Sequence, residues 1–381
     1  MNWAVSGIGA TSAVGADADE MFAGLCAGRS GLRELSGISP KPYRGQYAYQ
    51  IHDHPNGEDV PGRAGAFVAD VVEQAATQAG LGSDLSEVPI LIGSGLRESR
   101  TAELHWRDRH GLGELTADDL HFGIAMRERF GATDTHTVAN ACAASVYALA
   151  LAADLLATDQ ADSVVVAGVD VLTESMSGVM ERVHPVAPER MQPFDRNRAG
   201  VMMGEGAAAV VLTRDDRVDR APLCRLRSVE VGCDAQHDTA PSPDGFAEVM
   251  RRAHSAAGVV PSDIDLVMLH GTATLLNDET EALATRSVFG IDAGVPLMTA
   301  IKSMTGHTGG ASGVMGVVSA VLSMRDAVVP PVVGLDEPVE EAAGFRIVTG
   351  GAARREVAVA QVNALGFGGM NTVAVLEAAN R

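Results

Sequence analysis

The sequence predicts an α/β fold of layered sheets, and three observations carry that expectation. Short β-branched or apolar runs recur along the 381 residues, helical patterns separate several of them, and 42 glycines in a chain that is 46% hydrophobic suit close backbone packing. Strands that alternate with helices build sheets covered by helices. The length accommodates about two to three domain-sized units and a large core.

Taken in order, the strand-like runs are Ile90–Ile92, Thr135–Val138, Ser163–Ala167, Ala207–Leu212, Leu226–Val231, Leu266–Leu269 and Val357–Val362. The first begins after Pro89, a residue that can open a strand but not sit inside a central one. Ser145–Ala157 reads as a buried helix. The uncharged, glycine-containing stretch Thr308–Met324 reads as a buried helix behind a loop, not a membrane span. Between the strand runs, Thr213–Arg220 is charged and poor in apolar residues, like a linker. It divides the chain into halves at 1–215 and 223–381.

Composition excludes several classes. A net charge of −20 argues against broad nucleic-acid affinity, which needs a basic face. The four cysteines, Cys26, Cys142, Cys224 and Cys233, show no metal-ligand spacing and no disulfide framework, so a cytoplasmic protein without a metal is expected. The N-terminal residues lack a basic segment followed by an apolar core, and no signal peptide is read.

Cys142 stands in Thr137-Val138-Ala139-Asn140-Ala141-Cys142-Ala143-Ala144-Ser145, at the seam between a strand-like run and the long apolar helix. A helix N-terminus favours an anion, so a thiolate is expected there. Alone, such a cysteine is more often a buried structural residue. His270 follows the run Ile264–Leu269, where functional groups gather at strand ends of open α/β sheets. His307 stands in Lys302-Ser303-Met304-Thr305-Gly306-His307-Thr308-Gly309-Gly310. Either histidine alone has many structural uses; the three residues together form a set.

With these motifs the chain resembles the elongating β-ketoacyl-acyl-carrier-protein synthases of the thiolase-like superfamily. The similar segments run in order from Val5–Gly15 and Ala27–Gly31 through Gly93-Ser94-Gly95, the Cys142 element, Pro193–Gly200 and Gly204–Ala208. They continue through the His270 and His307 elements to Asn363-Ala364-Leu365-Gly366-Phe367-Gly368-Gly369-Met370-Asn371. The resemblance implies a five-layered α-β-α-β-α arrangement of two similar halves, one carrying Cys142 and the other His270, Lys302, His307 and the Phe367 loop.

The mechanism it implies begins with Cys142 taking the acyl group from a carrier thioester. A malonyl extender on a second carrier then loses CO2, and its enolate attacks the acyl-Cys142 carbonyl. His270 and His307 would stabilise the developing oxyanion. Backbone N–H groups of Cys142 and Phe367 would form a second oxyanion hole, with Gly366 and Gly368 placing the backbone. Lys302 would pair with Glu281, and Thr272 and Thr274 would hold the pantetheine arm. Phe367 would also gate the acyl tunnel. No resident cofactor is implied, since phosphopantetheine arrives on the carrier.

The implied partners are an acyl carrier protein and a second ketosynthase-like chain, as homodimer or heterodimer, with neither nucleic acid nor membrane. An acidic carrier would need a local basic patch, for which Arg182, Arg190, Arg196, Arg198, Arg251 and Arg252 are candidates. Asn140, Ala273 and Met370 depart from the family pattern. The stretch from Leu96 to Gly131, with its run His105-Trp106-Arg107-Asp108-Arg109-His110, is shorter than usual. That divergence favours a specialised polyketide or unusual fatty-acyl pathway. Alternatives are a non-condensing acyltransferase, a thiolase or initiating synthase, and a non-catalytic partner of a heterodimer.

Overall fold

The computed structural model describes residues 3–38, 44–52, 59–107, 114–183, 186–214 and 221–379. Most of the charged linker (215–220) and residues 108–110 of the run after His105 lie outside them. Among the described residues, eleven strands join in one mixed sheet. They are β1 (Trp3–Ser12), β2 (Ile90–Gly93), β3 (Thr135–Val138), β4 (Ser163–Asp170), β5 (Gly206–Arg214), β6 (Cys224–Cys233), β7 (Leu266–Met268), β8 (Leu297–Thr299), β9 (Arg346–Ile347), β10 (Val359–Gly366) and β11 (Met370–Ala378). Seven helices concern the site: α1 (Arg63–Ala79), α2 (Ala144–Ala157), α3 (Glu174–Val183), α4 (Pro243–Ala257), α5 (Leu275–Phe289), α6 (Lys302–Thr305) and α7 (Ser312–Asp326).

The spatial order is β9-β8-β7-β10-β11-β6-β1-β5-β4-β2-β3. Read from the outer edge inward, the first five strands lie as third, second, fourth, fifth and first. β6, β7, β8, β10 and β11 repeat that order, with β9 added at the edge. The two sets meet where Trp3–Val5 pairs antiparallel with Cys224–Leu226.

Strand alternation sorts side chains into layers, because successive residues point to opposite faces. Val164 and Val166 of β4 join a central cluster with Val146, Leu149, Val314 and Val318. Val165, Ala167 and Val169 instead pack on Val68, Val71 and Val72 of α1. In the second half, Ala360, Val362 and Ala364 of β10 face the centre, whereas Val359 and Leu365 face Phe246, Val249 and Met250 of α4. The layers are α1, half-sheet, α2 with α7, half-sheet, α4: the expected five, except that the half-sheets are hydrogen-bonded into one.

Local chemistry fixes the ends of the elements. Ser242 caps α4 by accepting from Gly245 N at 3.2 Å, Pro243 opens the helix, and Gly258 ends it at φ 70°. Residues 312–323 of α7 are all buried, as its lack of charge suggests. The buried Arg63 guanidinium clamps both oxygens of Glu205 at 2.5 and 2.7 Å, tying α1 to the segment before β5. β8, β9 and β11 are missing from the sequence expectation. Two are only two or three residues long, and β11 begins inside the glycine-rich motif that hides its strand character.

Candidate active site

Cys142 lies in a single 3-10 turn, Ala141–Ala143, between β3 and α2. Ala141 has φ 48°. A non-glycine residue in that region costs about 1–2 kcal/mol, held here by the packed strand and helix on either side. The expected thiolate is corrected by the fold. Burial pushes the Cys142 thiol up to about 11, Asp170 adds to the rise, and Lys302 opposes it. Desolvation is the largest effect on the thiol and favours its neutral form.

His270 follows β7 and His307 follows α6, and the fold brings their rings together edge to face, with centroids 5.5 Å apart at 85°. Both rings are buried, and burial, first of all, holds both well below the ordinary histidine range; Lys302 lowers each further. They are neutral imidazoles at neutral pH. His270 Nδ1 lies 3.3 Å from Lys302 Nζ, and His307 Nδ1 lies 2.9 Å from Ser312 Oγ. An ammonium donating to Nδ1 leaves the His270 proton on Nε2, and a Ser312 hydroxyl donating does the same for His307. His307 Nε2 is buried without a protein partner.

Behind His270 stand Lys302 and Glu281, both buried. The expected Lys302–Glu281 pair is not a direct contact: no ion-pair distance joins them among the described residues. Instead they grip opposite sides of the His270 peptide. Glu281 accepts from His270 N at 2.7 Å and Gly271 N at 2.9 Å, while Lys302 Nζ donates to His270 O at 2.6 Å. Burial raises the Glu281 carboxyl and lowers the Lys302 ammonium, and the attraction of Glu281 partly restores the latter.

Cys142, His270 and His307 line one cavity of about 890 Å³, with Thr272, Thr274, Gly366 and Phe367. Thr272 Oγ1 and Thr274 Oγ1 are 2.9 Å apart. Thr274 also caps α5, so turn chemistry and a place at the cavity coexist. Ala273 between them has φ 61°, a left-handed conformation that glycine adopts more readily. Phe367 is 48% exposed on the β10–β11 turn. Gly368 does not line the cavity; its φ of 82° and its N–H bond to Asp238 O at 2.8 Å shape the turn. Lys302 and Glu281 also stand outside the wall.

Asp170, at the end of β4, was not singled out from the sequence. Its carboxylate lines the same cavity and accepts from Ser94 Oγ (2.7 Å), Leu96 N (2.9 Å), Gly95 N (3.0 Å) and Gly310 N (2.6 Å). It ties the loop after β2 to the loop after His307. A Cβ on Gly309 would lie 2.1 Å from Asp170 Oδ2, which is why that position is glycine. The only sequence signal is an acid ending the apolar run Ser163-Val164-Val165-Val166-Ala167-Gly168-Val169.

Of the proposed basic patch, Arg198 is buried and bonded to Thr274 O, Leu275 O and Asp195 O. It is a structural residue. Arg196 pairs with Glu337 at 2.9 Å, and Arg190 reaches Asp336 at 3.9 Å. No cluster of three His, Cys, Asp or Glu among the described residues could hold a metal ion, and no described helix is long and apolar enough to cross a membrane.

Comparison with known proteins gives matches along the chain. Residues 130–217 match the family model "Beta-ketoacyl synthase, N-terminal domain", and residues 223–336 match "Beta-ketoacyl synthase, C-terminal domain". The chain is similar to 3-oxoacyl-[acyl-carrier-protein] synthase 2 of Coxiella burnetii, 26% identical over 98% of this chain and 97% of that protein. It is 31% identical to nodulation protein E of Rhizobium meliloti over 62% of this chain and 60% of that one. Among solved structures, the ishigamide ketosynthase/chain length factor superposes with a TM-score of 0.89 at 29% identity, covering 99% of each chain. With its cysteine at a strand–helix seam, its facing imidazoles and family matches in both halves, the chain belongs to the beta-ketoacyl synthases of the thiolase-like superfamily, acyltransferases that join acyl units by condensation.

Proposed function

We propose that this chain carries out decarboxylative Claisen condensation between an acyl group held on Cys142 and a malonyl unit on an acyl carrier protein. The observation that carries the proposal is the buried, unpartnered His307 Nε2 beside His270 in a cavity that also holds Cys142. Cys142 sulfur attacks the acyl thioester, the new C–S bond forms, and the carrier thiol leaves. The thiol proton passes to the departing carrier thiolate, so the exchange of thiols balances while both imidazoles keep their Nε2–H groups. The malonyl carboxylate then departs as CO2, leaving its electron pair on an enolate. Nε2–H groups of His270 and His307 hold the thioester oxygen as charge develops on it. The enolate carbon bonds to the acyl carbonyl, the C–S bond to Cys142 breaks, and the β-ketoacyl thioester remains on the carrier. Backbone N–H groups of Cys142 and Phe367 serve the acyl-transfer steps, with Gly366 beneath them, and Thr272 and Thr274 hold the pantetheine arm.

The acyl side is apolar. Met180, Val201 and Met203 line the catalytic cavity and also a second chamber of about 610 Å³, bounded by Leu35, Ala48 and Leu172. This apolar lining suits an acyl chain, and the divergent stretch from Leu96 to Gly131 favours a specialised polyketide or unusual fatty-acyl substrate. The partner would be a carrier protein, and the assembly a homodimer or a heterodimer with a related chain, in the cytoplasm. The repeated strand order supports 1–215 and 223–381 as the two units. Intact-protein mass spectrometry tests the function, using acyl-carrier thioesters with malonyl-carrier protein. A Cys142 adduct followed by a carrier-bound β-keto product is expected. Acylation without condensation would assign a transferase, and no acylation with any donor would refute the nucleophile.

A further inference from the structure

A row of buried polar side chains runs from the outer helix α4 to the catalytic layer. His254 Nε2 lies 2.6 Å from Gln361 Oε1, Gln361 Nε2 lies 2.7 Å from Asn363 Oδ1, and Asn363 Nδ2 lies 2.9 Å from Glu281 Oε1. Gln361 and Asn363 alternate on the face of β10 that packs against α4, where Val359 and Leu365 are apolar. Nothing in that layer requires amides, and a buried polar group without a partner is expensive.

The polarity of the row follows from its inner end. Glu281 already accepts two backbone N–H groups, so Asn363 must present its NH2, and its carbonyl then takes the NH2 of Gln361. The Gln361 carbonyl can only accept, so His254 donates from Nε2. Burial lowers the His254 pKa against the opposing effect of Gln361, and its ring rests edge-on against Phe289 at 5.5 Å. Every proton in the row points toward Glu281.

We infer that Gln361 and His254 are positioning residues for the decarboxylation step, holding Asn363 so that Glu281 stays anionic and fixes the His270 peptide. The inference rests on the proposed role of His270. Glu281 is also faced by Asp278 on its own helix and by Lys302 from α6. His270 and His307 lie beyond the Lys302 contact, and Arg198 reaches Asp278 at 3.6 Å. Loss of the row weakens donation to the anion, so the Glu281 pKa rises.

The test compares wild type, Gln361→Met, His254→Phe and the double variant. Its readouts are malonyl-carrier decarboxylation against pH, Cys142 acylation, thermal melting, and 15N NMR of labelled histidines. Gln361→Met should lower decarboxylation kcat by about two- to tenfold, the range of a hydrogen bond between neutral groups, with KM unchanged. Its acid limb should move to higher pH, while Cys142 acylation persists. His254→Phe should give a smaller shift of the same sign. The double variant removes both ends of one bond, so its melting temperature should recover relative to Gln361→Met while the acid limb stays displaced. A double variant in which the acid limb returns with stability would show a packing role only and overturn the inference. Wild type without decarboxylation would fail the proposed function instead, and the row would then be judged by NMR. His270 amide and ring signals unmoved by Gln361→Met would refute it.

Discussion

Asp170→Asn isolates the carboxylate that joins the two loops at Cys142. The native carboxylate accepts four bonds: Ser94 Oγ and Leu96 N on one oxygen, Gly95 N and Gly310 N on the other. An asparagine retains one accepting oxygen. If its NH2 takes the side of Ser94 and Leu96, the Ser94 hydroxyl can turn and accept, which leaves one buried N–H without a partner. The opposite orientation strands two. The first is cheaper, and one stranded donor costs about 1–3 kcal/mol, so that is the expected loss in denaturant unfolding. Charge gives an independent readout. The Asp170 anion disfavours a second anion on Cys142, so neutralising it lowers the thiol pKa from about 11. The assay is iodoacetamide alkylation against pH, with Cys142 quantified by peptide mapping because Cys233 is exposed and reacts as well. Variant alkylation should rise at lower pH than in wild type, even as condensation slows with the loosened His307 loop. An alkylation profile that is unchanged, or moved to higher pH, would refute the assignment of Asp170 as an anion acting on the Cys142 thiol.

Other outcomes follow from the same geometry. His307→Ala removes one donor to the enolate oxygen and should cost about 10²–10³ in malonyl decarboxylation while Cys142 acylation falls less, as read by separate half-reaction assays. Decarboxylation should show a bell-shaped pH profile. Its acid limb lies near the Glu281 carboxyl, raised to about 7, and its basic limb near the Lys302 ammonium, lowered to about 8. Below the first limb Glu281 gains a proton and loses its grip on the His270 amide. Above the second, Lys302 loses its charge and donates more weakly to His270, and the two limbs belong to the pair jointly. Phe367→Ala should alter acyl loading more than malonyl decarboxylation, and equal losses in burst and decarboxylation assays would remove the gating role.

The chemistry-bearing residues were legible because each sits in a short motif whose neighbours are small. Cys142, His270 and His307 each stand at the end of an apolar run, and the glycines beside His307 and around Phe367 answer to backbone conformation, a local property. Strand and helix runs were legible for the same reason, since periodicity is local. The tertiary structure decided what depends on surroundings. It set the sign of the Cys142 shift, because desolvation is a sum over everything packed around the sulfur, and the helix end that pointed the other way is one contributor. It placed Glu281 and Lys302 on opposite sides of one peptide instead of on each other. It brought Asp170 from β4 to the His307 loop across 140 residues of chain, and it aligned His254 with Gln361 across 107. Side chains that meet only because two distant strands and a helix share a layer leave no mark in local spacing. The sequence by itself therefore determined the family and the candidate site residues, while the fold decided the surroundings of those residues and the buried carboxylates and amides that hold them.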